Sequence, residues 1–270
     1  FGYLLEWLYN GIGQNYGIAL ILFTIILRII LLPLTIKQQK SMKKTTELQG
    51  KMQEIQFKYK NNPELMNKEI MDLYKRENLS PFSGCISSIV QILIILSVFY
   101  LVSRPLTYMK KIDPGIIENY RNEISAENDG KISNYYEIEI IQKKAAQDEN
   151  IKVNMDFLGL DLSKVPSQNM TDIKVYIIPI LYVISSIFSI KMTTGKTNKK
   201  EQNGSSQPDM TQQMNKSMSY MMPIMAVSIA FVAPLGLALY WLISNILMIL
   251  ERIVINKYVD SKEEKTLCLK

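Results

Sequence analysis

The sequence predicts an all-α integral membrane protein with five transmembrane helices, the N-terminus outside, the C-terminus inside, and a helical hairpin in the cytosol. Three observations predict it. Apolar runs at 18–36, 86–102, 175–190, 219–233 and 235–250 alternate with lysine-rich or acidic stretches, a division that a mean hydropathy of +0.03 conceals. The segments between the runs change charge sign in turn. The chain has no histidine and only two cysteines, Cys85 and Cys268. That excludes Ser–His and Cys–His catalysis, HExxH zinc sites and a disulfide framework.

Residues 1–16 contain "FGYLLEWLYNGIG", apolar at Leu4, Leu5, Trp7 and Leu8 with Glu6 as the one charge. This reads as an interfacial helix on the outer surface, against the alternative of a frayed start to the first span. Because the chain opens on Phe1, an upstream segment such as a signal peptide is expected to have preceded it. The first span covers 17–36.

Segment 37–80 is too polar to span. Leu48, Met52, Ile55 and Tyr59 recur at helical spacing, and so do Leu65, Ile70, Leu73 and Tyr74. "NNPE" between them supplies a cap at Asn62 and a proline for the first helical position at Pro63. Two antiparallel helices are therefore expected, with Lys37, Lys40, Lys43, Lys44, Lys51, Lys58 and Lys60 on their outer faces. Those lysines read equally as a solvated orientation signal or as a contact for anionic headgroups, ribosomal RNA or another protein. No motif that reads bases is present.

The remaining boundaries follow: a second span at 81–103, an extracytosolic segment at 104–173 and a third span at 174–191. A cytosolic loop at 192–216 precedes the fourth span at 217–233, and the fifth span at 235–256 leads into a cytosolic tail at 257–270. The last three apolar runs hold 15–16 residues. A bilayer core asks for about 20, so flanking residues must complete them or the membrane must thin. "APLG", Ala233 to Gly236, is a tight outer turn. Orientation comes from charge. Lys and Arg outnumber Asp and Glu ten to six in 37–80 and five to two in 191–217, are outnumbered twelve to nine in 104–172, and lead five to four in 251–270. The positive-inside rule places the first two segments in the cytosol.

"TIILRIILLPL", Thr24 to Leu34, sets Arg28 in mid-span. A guanidinium there costs roughly 2.5–3.5 kcal/mol on insertion scales. No Asp, Glu or Lys occurs in 18–36, 86–102, 175–190 or 219–250, so Arg28 is expected to be unpaired and hydrated. Uncharged polar residues suggest the source of that water. Gly17, Thr24 and Thr35 lie within about 40° of Arg28 on the first helix. Gly84, Ser87, Ser88 and Gln91 form a stripe on the second, and Tyr182, Ser185, Ser186 and Ser189 form one on the third. The expectation is a wet groove open to the cytosol and closed outside, with Arg28 at its deep end, about 12 Å above Ile36. The alternative is that such serines only let helices pack closely.

These residues resemble the YidC membrane protein insertases of bacteria and their mitochondrial and chloroplast relatives, over nearly the whole chain. "NYGIALILFTIILRIILLPLTIKQ" is similar to the family's first conserved span with its arginine. "LYKRENLSPFSGC" resembles the hairpin exit, and "FLGLDLS" the outer element before the third span. "MMPIM" and "APLGLALYWLISN" resemble the paired last spans. Three departures stand out. "CISSIVQ" lacks the family's usual proline, segment 104–172 is longer than in short Gram-positive forms, and that segment does not hold the large periplasmic domain of Gram-negative forms.

The resemblance implies an insertase and chaperone of the bacterial cell membrane, with no cofactor, nucleotide or metal. Its groove, open to cytosol and lipid, carries an arginine that recruits the hydrophilic part of a substrate. By position Arg28 is that cation, Thr24 lies one turn away, and Gln91, with Ser87, Ser88 and Ser185 of the stripes, is polar lining. Ile94, Tyr182, Tyr240 and Trp241 match places where substrate helices slide past. For Tyr240 and Trp241 an interfacial aromatic belt is the competing reading. Methionines 210, 214, 218, 221, 222 and 225 offer either an adaptable surface or plain packing. Implied partners are nascent membrane proteins, anionic lipids and, through the hairpin, the Sec translocon, ribosome and signal recognition machinery. The rival functions are a small anion transporter or channel using Arg28 as its anion site, and a structural scaffold. Absence of a repeat and of a membrane carboxylate argues against the transporter.

Overall fold

A computed structural model describes residues 1–77, 83–194, 225 and 228–267. Side chains are described for these except at 42, 45, 46, 49, 83–88, 91, 193, 194 and 256–267. The predicted fourth span lies outside the described residues apart from 225 and its last turns, as do methionines 210, 214, 218, 221 and 222.

Helix α1 is Gly2–Gly11, with Leu5, Leu8 and Tyr9 buried and Tyr3 and Trp7 exposed. Gly13 and Gln14, both at positive φ, separate it from the next helix. Helix α2 is Tyr16–Lys58, 43 residues, and its cap Asn15 accepts a hydrogen bond from Ile18 N. At 1.5 Å per residue it is about 65 Å long. It passes through Pro33 unbroken, so span and first hairpin arm are one rod, and the change at 36 is chemical rather than conformational. Helix α3, Pro63–Arg76, is capped by Asn62, whose side chain accepts from Leu65 N. It returns antiparallel along α2, since Lys51 pairs with Glu77 at 2.8 Å and the Tyr74 hydroxyl meets Met52 Sδ at 3.6 Å.

Helix α4, Ser83–Ser103, is buried at its far end through Val98, Leu101 and Val102, and a π-turn at Leu106–Lys110 follows. Segment 104–173 then holds α5 (Pro114–Glu127) and α6 (Tyr136–Lys144), packed through Ile117, Ile124, Ile138, Ile140 and Ile141. Among the described residues one hairpin departs from an all-helical fold: β1 (Asp156–Phe157) pairs antiparallel with β2 (Leu160–Asp161). Its two-residue turn has Leu158 at φ +54° and Gly159 at φ +76°, the pair of positive angles that a tight hairpin demands. Helix α7 is Ile177–Thr194 and helix α8 is Leu235–Leu267.

Three described stretches are long and apolar enough to cross a membrane: Tyr16–Ser41, Ile173–Met192 and Leu235–Ile255. Ile92–Ser103 is a shorter apolar helix.

Residues 154–164 sit across one end of this bundle. Tyr16 N donates to Asn154 O, Leu235 N to Lys164 O and Gly236 N to Leu162 O. The last two satisfy N–H groups that open α8. A Cβ on Gly17 would lie 2.5 Å from the Phe157 ring, so the hairpin rests directly on the first turn of α2. Helices α2, α7 and α8 therefore begin at the same end and run parallel. Tyr182 lies beside Trp241, and Ser186 beside Asn245, at matching depth. Helix α4 is antiparallel to them, with Val102 near Gly236.

Candidate functional site: the arginine between two parallel helices

Arg28 is 12 residues from the start of α2, about 18 Å along it and near the middle of the apolar stretch. Its side chain crosses to α8. Nη2 donates to the Ser244 carbonyl at 3.0 Å and to Ser244 Oγ at 2.8 Å, and Nη1 stands 3.5 Å from Glu251 Oε2. The Arg28 and Glu251 side chains are 16% and 12% exposed, so the pair is largely but not fully withdrawn from solvent.

This corrects the expectation that Arg28 has no carboxylate partner. The reason is geometric. The apolar run ends at Leu250 but α8 does not, and Glu251 lies seven residues beyond Ser244, two turns down the same helix face. Tyr240, four residues before Ser244, completes that face and is buried. The legible signal was Tyr240, Ser244 and Glu251 at i, i+4 and i+11.

Thr24 is 1% exposed and its hydroxyl donates to the Leu20 carbonyl at 2.7 Å, so it belongs to the back of the site. Thr35 does the same toward Leu31. The stripe on α7 turns into α8 rather than into open space. Tyr182, Ser186 and Ser189 are buried, and Asn245 Nδ2 donates to Ser185 Oγ at 2.9 Å and to Ser186 Oγ at 3.2 Å. Ser185 Oγ in turn donates to the Tyr182 carbonyl. The expected water along this face is thus replaced by a polar seam, because small side chains allow the two helices to approach. Asn245 is a second residue the sequence reading missed. Trp241 is half-buried, its ring 6.3 Å from that of Tyr182. Ile94 is half-buried against the core on α4. Ser87, Ser88 and Gln91 belong to α4, but their side chains lie outside the described ones.

A wide, open concavity of about 1460 Å³ lies within segment 104–173, lined by Glu127, Lys143, Asn154 and Lys164 among others. It is far from Arg28. Its lining mixes both charge signs without convergence, so the arginine, not this hollow, marks the site.

No group of three or more His, Cys, Asp or Glu side chains converges as a metal site among the described residues. What fold and site define is a multi-pass helical membrane protein whose polar centre is a guanidinium shared between two parallel helices, with hydrogen-bonding capacity and charge. The chain belongs to the 60Kd inner membrane protein family, whose pattern matches residues 7–263. It is 30% identical over 250 residues to the membrane protein insertase YidC of Treponema denticola, covering 93% of this chain and 36% of that protein. The insertase of the same name from Oceanobacillus iheyensis is 28% identical over 97% of this chain and 84% of its own length. That of Clostridium perfringens is 44% identical over 91 residues, 34% of this chain and 38% of that protein. The chain spans about a third of the length of relatives such as the Treponema protein. It is a multi-pass protein of the cell membrane.

Proposed function

We propose that the chain is a membrane protein insertase. In this reading it receives the polar segment of a client at Arg28, inside a groove open to cytosol and lipid, and releases the client's apolar helix sideways. The observation that carries the reading is the placement of Arg28. A guanidinium mid-way along an apolar helix is held to α8 by two hydrogen bonds from Nη2 and by a longer ion pair from Nη1, and keeps part of its surface open. The relatives named as insertases support it.

Five crossings, N-out and C-in, are the topology in which this site works. Supporting that count, α7 and α8 begin at the same end, so a chain leaving α7 at the opposite end has to cross back before Leu235. The outer segment, bonded to the starts of α2 and α8, closes the outside. The basic α2–α3 hairpin faces the cytosol, where anionic lipid headgroups, the ribosome, the Sec translocon and the signal recognition machinery are its candidate partners.

Arg28 supplies attraction for acidic client residues, and Thr24 backs it. On α4, Val98 and Val102 turn inward. In this reading Gln91, with Ser87 and Ser88, is the polar lining contributed by α4, and Ile94 an apolar step toward lipid. Tyr240 and Trp241 flank the exit along α8, while Tyr182 and Ser185 fix α7 there. Apolar burial in lipid, about 25 cal/mol per Å², drives insertion, so no nucleotide is needed.

The test is reconstitution of the chain in liposomes. Insertion of a short client without other factors supports this reading. Anion flux without insertion supports the small-transporter alternative and overturns ours. Arg28→Ala is expected to slow clients with acidic outer segments about tenfold, the effect of losing about 1.4 kcal/mol of attraction; unchanged insertion of every client removes the charge-attraction role.

A further inference from the structure

The contact at the centre of the site is only half made. Both hydrogen bonds of Nη2 go to Ser244. Nη1 has the Glu251 contact alone among the described residues, and 3.5 Å exceeds the 2.7–2.9 Å of a charge-assisted hydrogen bond. Glu251 Oε2 is buried and has no hydrogen-bond donor among the described residues. A buried carboxylate oxygen in that condition is poorly compensated, since Coulomb attraction offsets desolvation only when geometry and hydrogen bonding are good. The arginine has unused donors, and the carboxylate is close to the polar end of α8. Asn256, five positions beyond Glu251, opens the polar stretch "NKYVDSKEEK".

We propose, resting on the insertase reading, that Glu251 is the resident counter-ion of Arg28 and that a carboxylate on the client's polar segment exchanges with it. The substrate feature recognised is thereby an acidic side chain, and Glu251 sets the threshold of acidity that a segment must reach. Exchange avoids two costly states: a bare guanidinium while the groove waits, and a doubly neutralised one that retains no attraction. The released Glu251 moves toward the cytosolic end of α8, where water receives it. Ser244 keeps Arg28 oriented throughout, because its two bonds lie on the other nitrogen.

The test uses the chain in nanodiscs and a soluble acidic peptide beside its amide twin, with every Asp and Glu changed to Asn and Gln. Binding is read by fluorescence anisotropy. The wild type prefers the acidic peptide. Glu251→Gln is expected to raise that preference roughly three- to tenfold, because a competing charge has been removed. Arg28→Gln, alone or with Glu251→Gln, abolishes it. Should Glu251→Gln fail to fold, Glu251→Asp retracts the carboxylate by one methylene and is expected to raise the preference less. An unchanged or reduced preference in a folded Glu251 variant overturns the exchange. Insertion by the wild type with no such change leaves the insertase reading standing and the exchange refuted. A raised preference without wild-type insertion refutes the insertase reading and leaves the exchange standing.

Discussion

At Arg28 a cost visible in sequence acquires a structural answer. The charge was legible because it interrupts an apolar run, and its partner was not, because Glu251 falls one residue past the run and counts with the polar tail. Composition marks where a helix stops being apolar, not where it stops, and only the continuation of α8 brings the two together. A second carboxyl was equally hidden. Glu137 of α6 is fully buried, accepts from Thr107 N at 2.9 Å and from Thr107 Oγ1 at 2.6 Å, and so ties the outer segment to the exit of α4. Burial raises its pKa above the ordinary 4.5, against the Thr107 hydrogen bonds and the Arg104 guanidinium, which lower it. The native state thus holds this proton more tightly than the unfolded one, and stability falls as pH rises from about 4.5 through the folded value. Glu137→Gln is expected to flatten that slope in thermal unfolding of the nanodisc-embedded protein between pH 4 and 8. An unaltered slope would remove Glu137 as its source.

Helices, caps and breaks were the most legible elements. Asn62 and Pro63 open α3 as their chemistry dictates. The α7 stripe was legible as a pattern but ambiguous in meaning. Serines at helical spacing suit a wet face and a packed seam alike, and Asn245 on the facing helix decides for the seam. The two-residue strands were not legible, since "FLGL" carries too little periodicity to distinguish a hairpin from a loop. Their position matters more than their length. Phe157 occupies the space over Gly17, where a Cβ would meet ring atoms at 2.5–2.7 Å. Gly17→Val is expected to push the hairpin off α2 and destabilise the protein by about 1–3 kcal/mol, the usual range for overpacking. Thermal unfolding measures it, and a stability unchanged within 0.5 kcal/mol, about the scatter of a neutral surface change, would contradict the contact.

Across the whole molecule, parallel α2, α7 and α8 make an asymmetric bundle. One end is bonded shut by segment 154–165, and the other continues into the charged hairpin and the polar extension of α8. An unpaired arginine in open water has given way to an arginine with a loose resident partner, between helices that share its burial. The most direct test is a client arrested during insertion, with a photo-reactive residue in its polar segment. The account predicts cross-links to α2 near Arg28 and to α4 near Gln91, lost when Arg28 is replaced by Ala. Cross-links confined to lipid or to the α2–α3 hairpin, and indifferent to Arg28, would contradict it.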